Sequence, residues 1–572
     1  MKFRYALALL LFSALPILGG EAEPPKAREP AAKPAKRPVF HQSEPLVVIS
    51  LAGYDALLRD ADALAKIGHQ PAIPTLLRAM IDEATDKKGI AGLDGKRPWG
   101  MTLRIDAGGT EAPVLVFLPV TDLNAFLQSL APDLGPPTET DGVYEVPLGG
   151  DTWYAKQQGN WAFASTSRGE LAELPKEPEK ILGDLPRRYL LAAEVRVGNI
   201  PSMIRESLKM LEEIGMLERD VGESERRFAA RKAALSWSIQ QAQAVLADIE
   251  TITAGVRLDA AAESLIGEME IAARPDSATA KLLARSTEVR MSGFLLPQSL
   301  LAGHCTMRLS ASDGFRLHEM LNLYGQDTLA AIRQSEELTP DQKKVFETAI
   351  NDILGSLLKT VSNGAIHLGM SLEITPESST GAMGLAVAQG PRVNKAIAAI
   401  LERLGKDEPE VFQKVAIDAR QYKGVHFHRF TLALEPLDAP EDFRQFFDKS
   451  FGRPLAVVIG VGDEAVYLAF GKRAEETLVA AIDGERKDAP PLALFLAGTP
   501  YARMGAAYAT DDEKAVATEA AKILEASKGK DRIQVTGQVI PNGMRFQMVV
   551  EPGVLKLLQL VPIPGIDLSA PK

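Results

Sequence analysis

The sequence predicts an α+β protein of two tandem repeats, each a mainly antiparallel sheet with helices packed on one face. Three observations carry this expectation. From Gly100 to Ser165 the hydrophobic pattern runs strand, strand, helix, strand, strand, strand. From Gly369 the order returns as GMSLEIT, MGLAVAQ, the helical VNKAIAAILERLG, GVHFHRFTL and LAVVIGVGDEAVYLAFG. Strand-rich runs joined by short turns alternate with single amphipathic helices, the pattern of antiparallel sheets backed by helices.

At 572 residues the chain is too long for one core, and two large mixed units account for the length. Apolar residues make up 46%, an ordinary content for a globular protein. The formal charge is −11, and removing a leader that carries Lys2, Arg4 and Glu21, net +1, takes it to −12. So acidic a surface repels phosphate and argues against nucleic acid or an anionic membrane as partner. Cys305 is the only cysteine, so the fold rests on its core and not on disulfides.

Residues 1–22 read as a secretory signal peptide: Lys2 and Arg4, an apolar run from Ala6 to Leu18, then a small-x-small cut site at Gly20-Glu21-Ala22. The run is short for a bilayer span and no cysteine near the cut could take a lipid. The expected product is therefore periplasmic or extracellular, without a transmembrane helix in the mature chain. An uncleaved N-terminal anchor is the alternative. Residues 23–45 form a Pro-, Ala- and Lys-rich linker, too poor in apolar groups to fold.

The first repeat spans 46–285. LVVIS is a short buried strand, and Tyr54 to Ile67 is a helix with Leu57, Leu58, Ala61, Leu64 and Ala65 on one stripe. A second helix starts at Pro74, a residue suited to a first helical turn. After the central strand block, YLLAAEVRV is a strand, Pro201 opens a helix, and a long charged, Ala-rich helix covers about 223–250. TITAGVRLDAAAESLIGEMEIAA closes the repeat as a hairpin.

Residues 286–303 are the joint and 304–565 the second repeat. Thr339-Pro340-Asp341-Gln342 forms a capping box with proline at the first helical position. Phe346, Ile350, Ile353, Leu354, Leu357 and Val361 then share a face, and Asn363-Gly364 stops the helix. Gly100 aligns with Gly369 (offset 269), Asn124 with Asn394 (270), Gly142 with Gly424 (282) and Trp161 with Val466 (305). The drift fits insertions collecting in loops, where added length costs little entropy. PPLALFLAGTPYARMGAAY echoes the strand and helix from Tyr189, and IQVTGQVI with MRFQMVVE echoes the closing hairpin at an offset of about 279.

On RPWGMTL, VLVFLPVTDLNAFL, DGVYEVP, NWAFAS and VVIGVGDEAVYLAFG, the chain resembles a family of secreted planctomycete-type bacterial proteins of unassigned function. The resemblance runs from the leader to the closing hairpin. It implies export and a two-copy layout, and brings no activity, cofactor or site residue with it.

Each candidate for chemistry has a plainer reading. Gly460-Val461-Gly462-Asp463-Glu464-Ala465 fits a dinucleotide fingerprint, but the strand VYLAF follows where a helix is required, so a hairpin turn is expected. Ser356 and Lys359 have the S-x-x-K spacing of a serine nucleophile with its activating amine, yet they lie in a capped helix and no K-T-G occurs. His426 and His428, two apart on a strand, could share a metal; without a third ligand they are expected on an exposed polar face. His304 and Cys305, adjacent on a strand, face opposite sides and cannot act as base and nucleophile together. Asp94, Lys96, Arg97 and Trp99 share one loop and form the candidate binding loop, with a packed turn as the alternative.

No complete catalytic or metal constellation remains, and no cofactor is expected. The leading expectation is an exported, non-enzymatic cell-envelope protein that serves as a binding or structural scaffold for an unknown envelope protein or polymer. The alternative is a carrier of an apolar small molecule or lipid, held in a cavity lined by Phe117, Leu118 and Phe126. A serine hydrolase on Ser356 and Lys359, or a metal hydrolase on His426 and His428, ranks last.

Overall fold

The computed structural model describes residues 44–561 except 88, 106–111, 131–136, 149–150, most of 201–245, 286–287, 376, 434–440 and 509–510. The segment 1–22 expected to be a signal peptide, all but the end of the expected linker 23–45, and most of the helix expected over 223–250 lie outside the described residues. The last two positions of that helix, Ile249 and Glu250, belong to a strand.

In chain order the first half contains β1 (Val47–Leu51), α1 (Tyr54–Ile67), α2 (Ala72–Ala84), β2 (Trp99–Leu103), β3 (Val114–Pro119), α3 (Leu123–Ser129), β4 (Thr138–Thr140), β5 (Val143–Leu148), β6 (Asp151–Gln158) and β7 (Trp161–Ser165). It continues through α4 (Glu179–Leu182), α5 (Leu185–Arg188), β8 (Leu191–Arg196), β9 (Ile249–Asp259), β10 (Ser264–Ala273) and α6 (Ala278–Ala284). The second half contains β11 (Leu301–Arg308), α7 (Ala311–Gln334), α8 (Pro340–Ser362), β12 (Ala365–Ile374), β13 (Ser379–Ala386), α9 (Gly390–Asp407), β14 (Phe412–Tyr422), β15 (Val425–Leu432), α10 (Glu441–Phe451), β16 (Leu455–Val461) and β17 (Ala465–Gly471). It ends with α11 (Ala474–Asp483), β18 (Leu492–Ala497), α12 (Gly498–Tyr508), α13 (Asp511–Ala526), β19 (Arg532–Ile540), β20 (Gly543–Val550) and α14 (Pro552–Leu555).

Local chemistry accounts for these boundaries. α1 occupies the span its apolar stripe predicts, and its turn to α2 is tied by Gln70, whose Nε2 donates to the Leu558 and Val561 carbonyls at 3.1 and 3.2 Å. The box at α8 forms as expected: the Thr339 hydroxyl accepts from the Gln342 N–H, and the Gln342 side chain accepts from the Thr339 N–H at 2.7 Å.

Among the described residues all strand pairs are antiparallel, and twenty strands form one sheet in the order 4-5-6-7-3-2-1-8-9-10-20-19-18-11-12-13-17-16-15-14. β10 and β20 pair at the centre, with Glu268 opposite Gln547. The outermost strands discourage further pairing. β4 is three residues long, and β14 is broken twice in register and carries the positive-φ residues Lys414 and Asp418.

Helices cover both faces of the wings, where the sequence predicted one. On β16, Val457, Ile459 and Val461 pack under Val393, Ile397 and Leu401 of α9, while Val458 points the other way, toward Leu478 of α11. The period of two makes this unavoidable once both phases of a strand are apolar. We call the α9 side the front. α3 packs on the front of the other wing, against Leu118, Ala155 and Ala162. Residues 171–189 cover the back there, against Phe117, Trp161 and Phe163.

Candidate functional site

The middle of the sheet differs from its wings. Paired residues of an antiparallel ladder share a face, so the front can be traced from β12 through the centre to β2. Over these ten strands every front-facing position in the paired register is apolar, a glycine or Cys305. β10 contributes Leu265, Gly267, Met269 and Ile271, and β20 contributes Met544, Phe546, Met548 and Val550. β18 adds Leu492, Leu494 and Leu496, and β12 adds Leu368, Met370 and Leu372.

This surface is not a core. Eight of the seventeen large apolar side chains exposed among the described residues lie on it, between 38% and 47% accessible. They sit on strands β8, β10, β11, β12, β18, β19 and β20. From the strand and rise spacings, the bare floor measures on the order of 40 Å across the strands by 20 Å along them. Apolar patches beyond a few hundred Å² mark a binding surface on most proteins. Seven more exposed apolar residues lie on helices α2, α7, α12 and α13, among them Met80, Phe315, Tyr324 and Tyr501.

The back of the same central strands is polar, with its carboxylates paired. Glu270 accepts from Arg188 Nη2 at 2.5 Å and from Arg545 Nε at 2.6 Å. Glu268 accepts from Gln547 at 2.9 Å and from the Tyr189 hydroxyl at 3.1 Å. The Glu268 and Glu270 side chains are only 10% and 14% exposed, against 40% for the intervening Met269. Burial alone would raise the Glu270 carboxyl; hydrogen bonds from Arg188 and Arg545 outweigh it and hold the carboxyl below its usual range. Burial, with Glu268 adding to it, pushes the Tyr189 phenol up to about 12. The usual polar-out arrangement is inverted here: the charged phase is tied down and the apolar phase is open.

The predicted binding loop divides across the sheet. The Arg97 guanidinium lies 4.4 Å over the Trp161 ring on the back and bonds Glu179 at 2.9 Å. Trp99 faces the front at the edge of the apolar floor, stacked on Tyr54 with ring centroids 6.4 Å apart. Its indole N–H finds no acceptor among the described residues. Asp94 accepts the Lys96 N–H at 3.2 Å in a tight turn, and Lys96 is exposed. The loop is a junction between the two faces, and only Trp99 of the four adjoins the floor.

The remaining candidates are placed as follows. Ser356 is fully buried and its hydroxyl donates to the Ala388 carbonyl, whereas Lys359 is exposed, so the pair does not meet as nucleophile and base. His428 is fully buried and not on an exposed face: Nε2 meets Asn394 Oδ1 at 2.7 Å, and Nδ1 accepts the Asp418 N–H at 3.3 Å. That pairing requires a neutral ring, in keeping with the lowering of its pKa by burial. His426 is half-exposed and meets Asp418 at 3.1 Å, and no group of three or more metal-ligating side chains occurs among the described residues. His304 points to the back, 3% exposed, while Cys305 faces the apolar floor. Gly460 to Ala465 is the turn of the β16–β17 hairpin, with the Gly462 N–H donating to the Ala465 carbonyl at 2.9 Å. Phe117 fills a core, with Leu118 and Phe126 packed in the next cluster.

The apolar floor was written in the sequence as the phase of two hairpins, SLIGEMEIA and MRFQMVV. The signal is ambiguous because Glu268, Glu270 and Arg545 look like the solvent-facing phase until their mutual pairing is seen. No protein-family model, curated protein or solved structure significantly matches the chain.

Proposed function

We propose that the chain is an exported, non-enzymatic binding scaffold of the cell envelope, and that it binds an apolar ligand on the front of its central strands. The observation that carries this reading is the continuous apolar face across ten strands, with eight of its large side chains 38–47% exposed. It favours the carrier over a purely structural component, because leaving so much apolar area in water is costly unless something covers it in use. Export rests on the leader pattern at 1–22 and on the resemblance to secreted planctomycete-type proteins. Among the described residues no helix is long and apolar enough to cross a membrane.

The same reading takes the two halves as products of an internal duplication. Its support is the strand order, in which β1 to β10 and β11 to β20 occupy matching places on either side of the β10–β20 pair. Such a union would double the width of an apolar surface that each half presents alone.

The test is native mass spectrometry of the protein purified from its own host, beside the denatured mass. The expected result is a reproducible excess mass that an organic extraction removes. An excess carried equally by Met548→Glu would place the ligand elsewhere and count against the floor.

A further inference from the structure

We infer that the ligand of this floor is a lipid monomer whose long aliphatic chains lie along it, an inference that rests on the binding reading above. Three features select chains over other apolar partners. First, among the described residues the floor offers no hydrogen-bonding side chain apart from the Trp99 indole at its edge and the weak Cys305 thiol, and its central strands are paired on both edges, so their N–H and C=O groups are already used. A ligand with polar atoms along its contact would lose their hydration without compensation; an aliphatic chain loses nothing.

Second, six of the fifteen methionines lie here, at Met101, Met269, Met307, Met370, Met544 and Met548. Unbranched thioethers repack around chains of varied shape. Glycines at 267, 303 and 537 lower the surface between them. Third, the floor is recessed. α3 on one wing and α9 on the other pack on the same front face and rise on the order of 10 Å above it. A second copy of the sheet, or a flat bilayer, would meet the wings before reaching the floor. A chain-shaped molecule is free to enter.

The experiment titrates the delipidated full chain calorimetrically with octanoate, laurate and palmitate below their aggregation limits, with 1-anilinonaphthalene-8-sulfonate as an apolar probe without a chain. Affinity should rise about fourfold per added methylene, the ratio for a methylene fully removed from water. Met269→Glu and Met548→Glu should weaken palmitate at least tenfold, while Leu148→Glu, equally exposed on β5, should not. Circular dichroism checks that each variant is folded. Floor-dependent dye binding without a chain-length series overturns the inference and leaves the binding reading intact. Ligand binding indifferent to both methionine variants overturns both. A dimer that Met548→Glu dissociates, or flotation with vesicles that it abolishes, assigns the floor to a second copy or to a membrane and also overturns the inference.

Discussion

Acid should destabilise this protein through a buried histidine. His304 sits on β11 between Gly369 and Ala493, 3% exposed, and neither ring nitrogen has a hydrogen-bond partner among the described residues. Burial lowers its pKa from 6.5 to about 4. The folded state therefore holds the ring neutral over a range where the unfolded chain protonates it. Stability from this source is complete above about pH 6.5 and is lost as pH falls toward 4. The full shift corresponds to about 3 kcal/mol, most of which is lost by pH 4.5. His367 and His428 are lowered in the same direction by burial, so pH dependence alone does not isolate His304. A comparison with His304→Leu does, because the other groups are common to both proteins. Urea unfolding at pH 7.5 and 4.5 should show wild type losing about 2–3 kcal/mol more than the variant. At pH 7.5 the variant should match or exceed wild type, since it removes buried nitrogens that bond to nothing. Equal losses in both proteins would refute the argument and mean that His304 is hydrated or paired in solution.

Other outcomes follow from the packing. Phe294 is 1% exposed and fills the space left by the paired Gly369 and Gly384, so Phe294→Ala should cost about 3–5 kcal/mol in chemical denaturation. Gln70→Ala removes the two bonds that hold the 558–561 carbonyls to the α1–α2 turn; it should cost about 1–3 kcal/mol and speed proteolytic trimming of the C-terminus. Glu270→Gln weakens the acceptor shared by Arg188 and Arg545 and should cost about 1–2 kcal/mol at neutral pH, discounted for the exposure of the arginines. Because the Glu270 carboxyl is held below its ordinary value, that difference should shrink as pH falls through the carboxylate range. Thr339→Ala should lower stability by about 1 kcal/mol, read as a loss of protection in amide exchange at the start of α8.

Much of the secondary structure was legible because it is set locally. The apolar stripe of α1, the Thr339–Gln342 box and the strand runs around Gly100 and Gly369 depend on neighbours within a turn or a pleat, and the structure places elements there. The α+β class follows from the same periodicities. Which way each phase faces is a different question. On β16 both phases are apolar, and helices from both sides cover them, so the expectation of one helical face did not hold. On β10 and β20 the charged phase found partners across the central pair and across the chain, at Arg188, Arg545 and Gln547, and was drawn in. Those partners lie up to 279 residues away, beyond any local pattern. His428 was hidden for the same reason, since Asn394, which satisfies it, sits on α9.

The sequence alone determined where many of the strands and helices lie, because hydrophobic period, caps and turns are short-range forces acting along the chain. Only the tertiary structure decided that, among the described residues, the apolar front of the centre keeps large side chains open between helix-covered wings and that the carboxylates on its back are paired. Burial of a charge depends on the arrival of its counter-charge, and that is a property of how distant strands pair.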